Sequence, residues 1–178
     1  MPRPDKTEFA PYYGRYVDKV PDGPLVDVLA SSMNETLALL RSIPEARADH
    51  RYAPGKWSIK EVVGHMIDGE RVFAYRALRF ARKDETPLAS FEQDDYVPAG
   101  NFGARTLADL ADEFEAVRRA TIHLFRHFDE TQLSRRGTAA DNPVSVRALG
   151  YITAGHEAHH RGVLRERYLG QESPASRT

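Results

Sequence analysis

The chain has 178 residues, of which 41% are hydrophobic and 29% charged, and its formal net charge is −1. This balance predicts one domain, residues 1–178, without the basic patch that nucleic-acid binding needs. No apolar run reaches the roughly 18 residues of a membrane span, and the first residues lack the apolar core of a signal peptide, so we expect a cytoplasmic protein. The chain contains no cysteine, which excludes disulfides, thiolate metal sites and a cysteine nucleophile.

Helical periodicity extends over most of the chain, and no convincing strand pattern is present. Prolines near the start predict an irregular N-terminal arm over residues 1–21. Ser58 and Glu61 form a capping-box pattern, in which two side chains satisfy free backbone amides at a helix start. The predicted helices cover about residues 24–43, 59–83, 106–128 and 145–168. Four amphipathic helices in a chain of this size predict an all-α four-helix bundle.

One predicted connection is much longer than the others. Residues 84–105 form a crossover loop of roughly twenty residues, whereas connections in bundles usually have about 2–8. Such a loop is needed if the second and third helices run parallel, because the chain must then return along the whole bundle. We therefore predict an up-down-down-up topology with antiparallel second and fourth helices. Asp94, Asp95 and Tyr96 lie in this loop, which is either a lid over a site or a simple crossover.

His156 and His160 are spaced i, i+4 on the fourth helix, so both rings project from one face and can bind one divalent ion. His65 lies near the start of the second helix, and a rise of about 1.5 Å per residue brings it to the same height in an antiparallel pair. Three protein nitrogens would leave positions on an ion open for water or substrate, as in catalytic sites. The alternative is a pair of hydrogen-bonded core histidines.

Three carboxylates are candidates for a general base or for orienting the histidine rings: Glu61, Asp68 and Glu157. The sequence does not choose among them. The string from His156 to His160 also matches the H-E-x-x-H signature of zinc proteases. We interpret that match as fortuitous, because neither a third downstream ligand nor a substrate-aligning strand is evident.

The remaining histidines and the tryptophan are predicted to be structural. His123 and His127 lie near the end of the third helix, where the helix dipole favours cations. His159 is expected to face a neighbouring helix or solvent, and His50 lies in a loop without an evident partner. Trp57 is predicted to anchor the start of the second helix by packing its indole against the bundle.

The chain resembles the DinB-like superfamily, which includes the YfiT-like proposed metal-dependent hydrolases. The similarity extends from about residue 25 to 169, and the segment 91–97 looks like the inter-helix segment of the family. The residues that carry the resemblance are Trp57, Ser58, Ile59, Lys60, Glu61, His65, Asp68, His156 and His160. The resemblance implies a DinB/YfiT-like bundle that is often a homodimer. It also implies that His65, His156 and His160 bind a divalent metal ion, with zinc or nickel the usual candidates.

Three functions are compatible with these patterns. The first is a metal-dependent hydrolase of a small-molecule substrate, in which the ion lowers the pKa of bound water. The second, which known members of the family suggest, is an S-transferase that uses a low-molecular-weight thiol as cosubstrate. The third is a non-enzymatic, stress-associated protein in which the metal only holds the bundle together. A pocket of substrate size that opens onto the histidines would favour the first two.

Overall fold

The computed structural model describes residues 2–171, so Met1 and residues 172–178, the two ends of the predicted domain, lie outside the description. The helices are α1 (Gly14–Val17), α2 (Leu25–Ser42), α3 (Ile59–Ala81), α4 (Gln93–Ala99), α5 (Leu107–Arg126), α6 (Glu130–Ser134) and α7 (Val146–Val163). A π-helical turn, Leu164–Tyr168, continues α7, and 3-10 turns lie at Lys6–Glu8, Pro11–Tyr13, Glu45–Arg47 and Phe102–Ala104. The long helices α2, α3, α5 and α7 agree with the four predicted helices to within a few residues.

The starts of three long helices are fixed by side-chain caps. Ser58 Oγ accepts a hydrogen bond from the Glu61 amide at 3.2 Å, and the Glu61 carboxylate accepts from the Ser58 amide at 2.6 Å, so the predicted capping box is present. Thr106 caps α5 and Ser145 caps α7 through side-chain oxygens that accept a backbone amide. Each cap satisfies an amide that the first helical turn leaves free, and so sets where the helix begins.

Helices α3 and α7 pack side by side in opposite directions. His65 near the start of α3 meets His160 near the end of α7, with ring centroids 4.8 Å apart. At the other end, Arg135, which precedes α7, donates a hydrogen bond to the carbonyl of Ala81 at the end of α3. The predicted antiparallel arrangement of the second and fourth long helices is therefore confirmed.

Helix α2 is antiparallel to α5. Arg41 near the end of α2 pairs with Glu115 at 3.0 Å, whereas Leu29 near its start accepts a hydrogen bond from Arg118, further along α5, at 3.2 Å.

Helix α2 runs parallel to α7. Leu25 packs against Gly150, where a Cβ atom would come within 2.5 Å of its side chain. About three turns further along α2 and two turns further along α7, Thr36 donates a hydrogen bond to Glu157. With α2 antiparallel to α5 and α3 antiparallel to α7, helices α3 and α5 also run parallel, and the up-down-down-up topology is confirmed.

The buried core has two apolar clusters with a polar layer between them. One cluster includes Phe80 and Leu149, and the other includes Met66 and Phe114. The buried polar side chains of this layer include Ser32, Thr36, His65, Glu70, Arg118, Thr121, His156 and Glu157. The histidines therefore lie at a level of the bundle where polar groups from all four long helices meet.

Two segments differ from the prediction that the chain lacks strands. Strands β1 (Arg136–Ala139) and β2 (Asn142–Ser145) form an antiparallel hairpin just before α7. Its turn residues Ala140 and Asp141 have φ values of 49° and 60°, a left-handed conformation for which Asn-Gly is the usual sequence signal. Because Ala-Asp lacks that signal and the strands have only four residues each, the pattern escaped recognition.

The predicted crossover loop and the predicted irregular arm both contain helical turns. Helix α4 lies within residues 84–105, and Leu88 of the same segment exchanges two backbone hydrogen bonds with β1 and the hairpin turn. In the arm, α1 packs on α7 so closely that a Cβ atom at Gly155 would come within 2.0 Å of the Tyr16 carbonyl oxygen. Among the described residues, no helix combines the length and apolarity needed to cross a membrane.

Candidate metal centre

Three histidine side chains converge in the polar layer. His65 from α3 and His156 and His160 from α7 each offer a ring nitrogen, and these nitrogens all lie within 4.8 Å of one another. The Nε2 atoms of His65 and His156 are 3.0 Å apart. His65 is 2% exposed and His156 5% exposed, while His160 is partly buried. The sequence prediction that a distant helix would supply the third imidazole therefore agrees with the geometry.

The space around the His156 ring depends on a glycine and on aromatic neighbours. A Cβ atom at Gly69 would lie 3.0 Å from His156 Cε1, which is tighter than ordinary van der Waals contact. Phe73 and Tyr16 contact the same ring edge to face, with centroid distances of 5.6 and 5.4 Å. On the other side, the Trp57 indole packs on His65 at 4.8 Å. These contacts hold the rings in place without consuming the nitrogens that face one another.

Burial keeps these imidazoles neutral. Desolvation lowers the pKa of His65 to about 4, although the negative charge of Asp94 opposes this effect. Burial and the neighbouring histidines hold the pKa values of His156 and His160 well below the usual value. A neutral imidazole is the form that binds a metal ion, so the donor set of the cluster fits a divalent cation.

Two cavities reach the histidine cluster from different sides. The first, which we call the arm-side cavity, has a volume of about 280 Å³ and is lined by both His65 and His156. Its other walls include Tyr12, Tyr13, Tyr16, Phe73, Arg76 and Asp94. The second, the loop-side cavity, has a volume of about 520 Å³, and its walls include His160, Trp57, Tyr52, Lys56, Tyr168 and Asp94. Asp94 of α4 thus contributes to both.

The three carboxylates that the sequence analysis named as candidate bases do not line the two cavities that reach the histidines. Glu61 caps α3 and pairs with Arg51 at 2.8 Å. Burial alone would raise the pKa of Glu61, but the hydrogen bonds from Arg51 and from the Ser58 amide lower it. Asp68 is half-buried, which raises its pKa, and it lines a separate groove with Tyr96. Neither carboxylate lines a cavity that reaches the histidines.

Glu157 faces away from the histidines, into a buried charge cluster. Its carboxylate accepts hydrogen bonds from Thr36, Arg161 and Arg118. Burial alone would raise the pKa of Glu157, but the charges of Arg118 and Arg161 outweigh it and lower the pKa. Arg118 also forms a bidentate pair with Glu70 at 2.8 Å. Because its oxygens are engaged by these cations, Glu157 is positioned as a structural counter-ion and not as a base.

The other histidines lie outside the cluster. His123 on α5 and His127, which directly follows α5, are exposed, and His50 is exposed with its ring near Tyr168. His159 is partly buried and lines the loop-side cavity. Its ring contacts Tyr16 at 5.5 Å.

The family model of the DinB superfamily matches residues 29–164. The chain belongs to the DinB superfamily. A proposed metal-dependent hydrolase of Oceanobacillus iheyensis is 24% identical over 139 residues, which are 76% of each chain.

Two solved structures share the fold of this DinB-superfamily protein. YfiT from Bacillus subtilis, described as a proposed metal-dependent hydrolase with an unusual four-helix bundle topology, superimposes with a TM-score of 0.69 at 15% identity. The match covers 97% of this chain and 95% of YfiT. A mycothiol-dependent maleylpyruvate isomerase superimposes with a TM-score of 0.63 at 12% identity. That match covers 83% of this chain and 61% of the isomerase, so the isomerase is considerably longer than the shared part.

Sequence reasoning missed several residues that line the arm-side cavity of this DinB-superfamily protein. Tyr12, Tyr13 and Tyr16 belong to the arm that was predicted to be irregular, and their close spacing was the available signal. Arg76 was missed because a single arginine on a helix face is usually solvated. The position of Asp94 was predicted only as part of a possible lid, whereas the structure brings it to both cavities.

Proposed function

We propose that this protein is a divalent-metal-dependent enzyme that hydrolyses a small molecule at a centre formed by His65, His156 and His160. The observation that carries the proposal is the convergence of three ring nitrogens within 4.8 Å, with two of the rings, His65 and His156, lining a cavity of about 280 Å³. A divalent ion bound there lowers the pKa of water and polarises a carbonyl or related group. The names of the Oceanobacillus relative and of YfiT support the same reaction class.

Residues of the chain would supply the other requirements of such a reaction. Burial keeps the three imidazoles neutral and ready to bind a cation. Asp94, which lines both cavities beside the cluster, is the carboxylate best placed to accept a proton there, since Glu61 and Glu157 are engaged elsewhere. Tyr16 lines the arm-side cavity, and burial raises its pKa to about 12, so its hydroxyl stays protonated in the cavity wall.

A second candidate is the transfer of a low-molecular-weight thiol to an electrophile. The specific observation in its favour is that two separate cavities meet at the histidines, because a two-substrate reaction needs room for both partners. The likeness to a mycothiol-dependent isomerase points in the same direction. The absence of cysteine requires that such a thiol come from outside. In a purely structural site, by contrast, protein ligands normally close the coordination shell and no cavity is required.

Turnover assays separate these functions. Protein loaded with zinc or nickel, and protein treated with a chelator, are assayed on ester, amide and lactone panels and then on electrophiles with and without a small thiol. Metal-dependent hydrolysis without thiol supports the first proposal, and turnover only with thiol selects the transferase. Absence of metal-dependent turnover on every panel, with an ion fully enclosed by protein ligands, contradicts both.

A further inference from the structure

Arg76 is a buried cation in the wall of the arm-side cavity. It lies on α3, is 4% exposed, and its Nη2 donates a hydrogen bond to the Ala89 carbonyl at 2.7 Å. Within residues 2–171 no carboxylate comes within ion-pairing distance of it, and no other hydrogen bond engages its guanidinium. Every fully buried side-chain nitrogen in this part of the chain has a hydrogen-bond partner. The guanidinium nitrogens of Arg76 that have no partner are therefore not fully buried. They are available to the cavity that Arg76 lines.

The other deeply buried arginine, Arg118, is ion-paired, in contrast to Arg76. Arg118 is 0% exposed, and two carboxylates, Glu70 and Glu157, neutralise it at 2.8 and 3.2 Å. An ionised group out of water costs several kcal/mol unless a counter-charge and hydrogen bonds compensate it. Arg118 is compensated within the chain, but Arg76 is not. A guanidinium that lines a cavity and has no carboxylate within ion-pairing distance among the described residues is therefore arranged to receive an anion from outside.

The position of Arg76 relative to His65 defines the shape of that anion. Eleven residues separate them on α3, which at about 100° per residue places both on nearly the same helix face. Their Cα atoms are about 16 Å apart along the axis, and a helical arginine points back toward the helix start, which shortens the gap. Phe73, between them, lines the same cavity and contacts His156. A ligand that reaches from Arg76 to the histidines is thus elongated, with an apolar middle.

We propose that Arg76 binds a carboxylate at one end of the substrate, several bonds from the group that reacts at the histidines. The inference rests on the proposed function, because it assigns a substrate class to that same site: small, extended carboxylic-acid derivatives with one remaining anionic end. A planar guanidinium matches a carboxylate in charge and in paired N–H geometry. Glu92 and Asp94 also line the cavity, and their negative charges oppose a doubly charged phosphate more strongly than a singly charged carboxylate.

Calorimetric titration with adipate and with its neutral isostere adipamide tests the assignment without requiring turnover. The parent protein, metal-loaded and metal-free, is expected to bind adipate at least roughly tenfold more tightly than adipamide, since hydrogen bonds to a charged group contribute about 1.5–3 kcal/mol. Arg76→Gln should lose that preference, and Arg76→Lys should retain part of it. The control Arg119→Gln removes an equal charge from an exposed site on α5 and should change nothing.

Kinetics complete the test and separate the two proposals. With monomethyl and dimethyl adipate as substrates, Arg76→Gln should raise KM for the anionic ester at least roughly tenfold and leave KM for the neutral ester unchanged. If the parent does not distinguish adipate from adipamide, the assignment of Arg76 is wrong even when esters are hydrolysed. Conversely, anion binding that depends on Arg76, without turnover of any ester, contradicts the hydrolase and leaves the anion subsite standing. Should Arg76→Gln fail to fold by circular dichroism, the parent and Arg76→Lys titrations decide.

Discussion

At the residue scale, the decisive feature is that three imidazoles meet without another protein group to satisfy all their nitrogens. Two buried Nε2 atoms 3.0 Å apart can share one proton, but the partly buried His160 adds a third nitrogen to the same small volume. A divalent cation satisfies all three nitrogens at once, which is why the cluster is better explained by metal binding than by a hydrogen-bonded pair.

The first prediction concerns the identity of the ligands. Loss of a residue that only hydrogen-bonds a metal ligand typically reduces metal affinity by roughly 10–100-fold. His65→Ala and His156→Ala each remove a ligand itself and should therefore reduce divalent-metal affinity by more than that. His123→Ala is the matched control, because His123 is exposed on α5 and should keep the parent's metal content. Elemental analysis after dialysis against limiting zinc or nickel measures the outcome. Full metal content in His65→Ala with loss in His123→Ala would mean that the wrong histidines were chosen.

The second prediction uses two glycines on neighbouring helices. Gly69→Ala should weaken metal binding, because the new Cβ atom would lie 3.0 Å from His156 Cε1 and displace the ring. Gly162→Ala on α7 meets no atom within 4 Å, so it should retain metal and gain about 0.5–1 kcal/mol of stability from a better helix former. Metal titration and urea unfolding measure the two effects. Equal metal affinity in both variants would show that the His156 ring tolerates displacement.

At the scale of elements, the crossover segment does more than connect α3 to α5. It contains α4, which brings Asp94 to the walls of both cavities, and Leu88, which extends the hairpin through two backbone hydrogen bonds. The backbone bonds of Leu88 and the Arg76–Ala89 hydrogen bond fix the segment near its start. Near its end, the buried Phe102 ring packs directly on Gly64 of α3. These anchors favour a fixed wall of the site over a freely opening lid.

The third prediction separates two adjacent carboxylates of α4. Asp94→Asn should reduce kcat at least roughly 100-fold, the contribution typical of a positioned proton acceptor, without loss of metal. Asp95→Asn is the control, since Asp95 carries the same charge on the same helical turn and lines neither cavity that reaches the histidines. Steady-state kinetics on the best substrate of the panels, with metal analysis of each variant, provide the measurement. Parallel losses in both variants would point to α4 stability instead of proton transfer.

The sequence was sufficient for the elements whose signals are local. Ser58 and Glu61 predicted the start of α3, and the excess length of residues 84–105 predicted the topology, because a chain that joins parallel helices must cross the bundle. Ala140 and Asp141 concealed the hairpin, since neither is a typical residue for its left-handed turn. The histidines could be grouped by height along antiparallel helices. The pairing of Glu157 with Arg118 could not be predicted in this way, because it depends on how the side chains of three helices are oriented within one polar layer.

At the scale of the whole molecule, the bundle places its ionisable groups in a layer between two apolar clusters. Arg118, Glu70 and Glu157 form a compensated set there, whereas the histidines remain neutral at the same level. The layer therefore combines charge pairs, which hold α3, α5 and α7 together, with the three histidines that we propose as ligands of a divalent cation. Breaking a buried pair by removing one partner typically costs about 3–5 kcal/mol.

The fourth prediction follows from that cost. Glu70→Gln should destabilise the protein by about 3–5 kcal/mol, because Arg118 would lose its bidentate partner inside the bundle. The control Glu115→Gln removes a carboxylate from the surface of α5, where Arg119 and Arg41 pair with it in partly exposed positions. Loss of these exposed pairs should cost about 1 kcal/mol or less. Urea unfolding at neutral pH compares the two. Similar small losses would show that the buried cluster contributes little.

The fifth prediction concerns the pH dependence of the metal-free protein. Burial holds the pKa of His65 at about 4 and those of His156 and His160 well below the usual value, whereas in the unfolded chain each is near 6.5. The unfolded state therefore binds more protons than the folded state below pH 6.5. The contribution of the neutral histidines to the free energy of unfolding is fully present above that pH and is lost as the pH drops toward 4. Each histidine contributes a slope of up to about 1.4 kcal/mol per pH unit.

Urea unfolding in the presence of a chelator, between about pH 7.5 and 4.5, measures that slope. His65→Gln should reduce the slope by up to about 1.4 kcal/mol per pH unit, the equivalent of one bound proton, because glutamine does not titrate. His123→Gln should leave it unchanged, since His123 is exposed on α5. Saturating zinc should raise stability most near neutral pH, where ligand binding to the folded state adds to it and protons do not compete for the imidazoles. A metal-free protein whose stability is constant from pH 6.5 to 5 would mean that the histidines are already solvated and that the cluster is open to water.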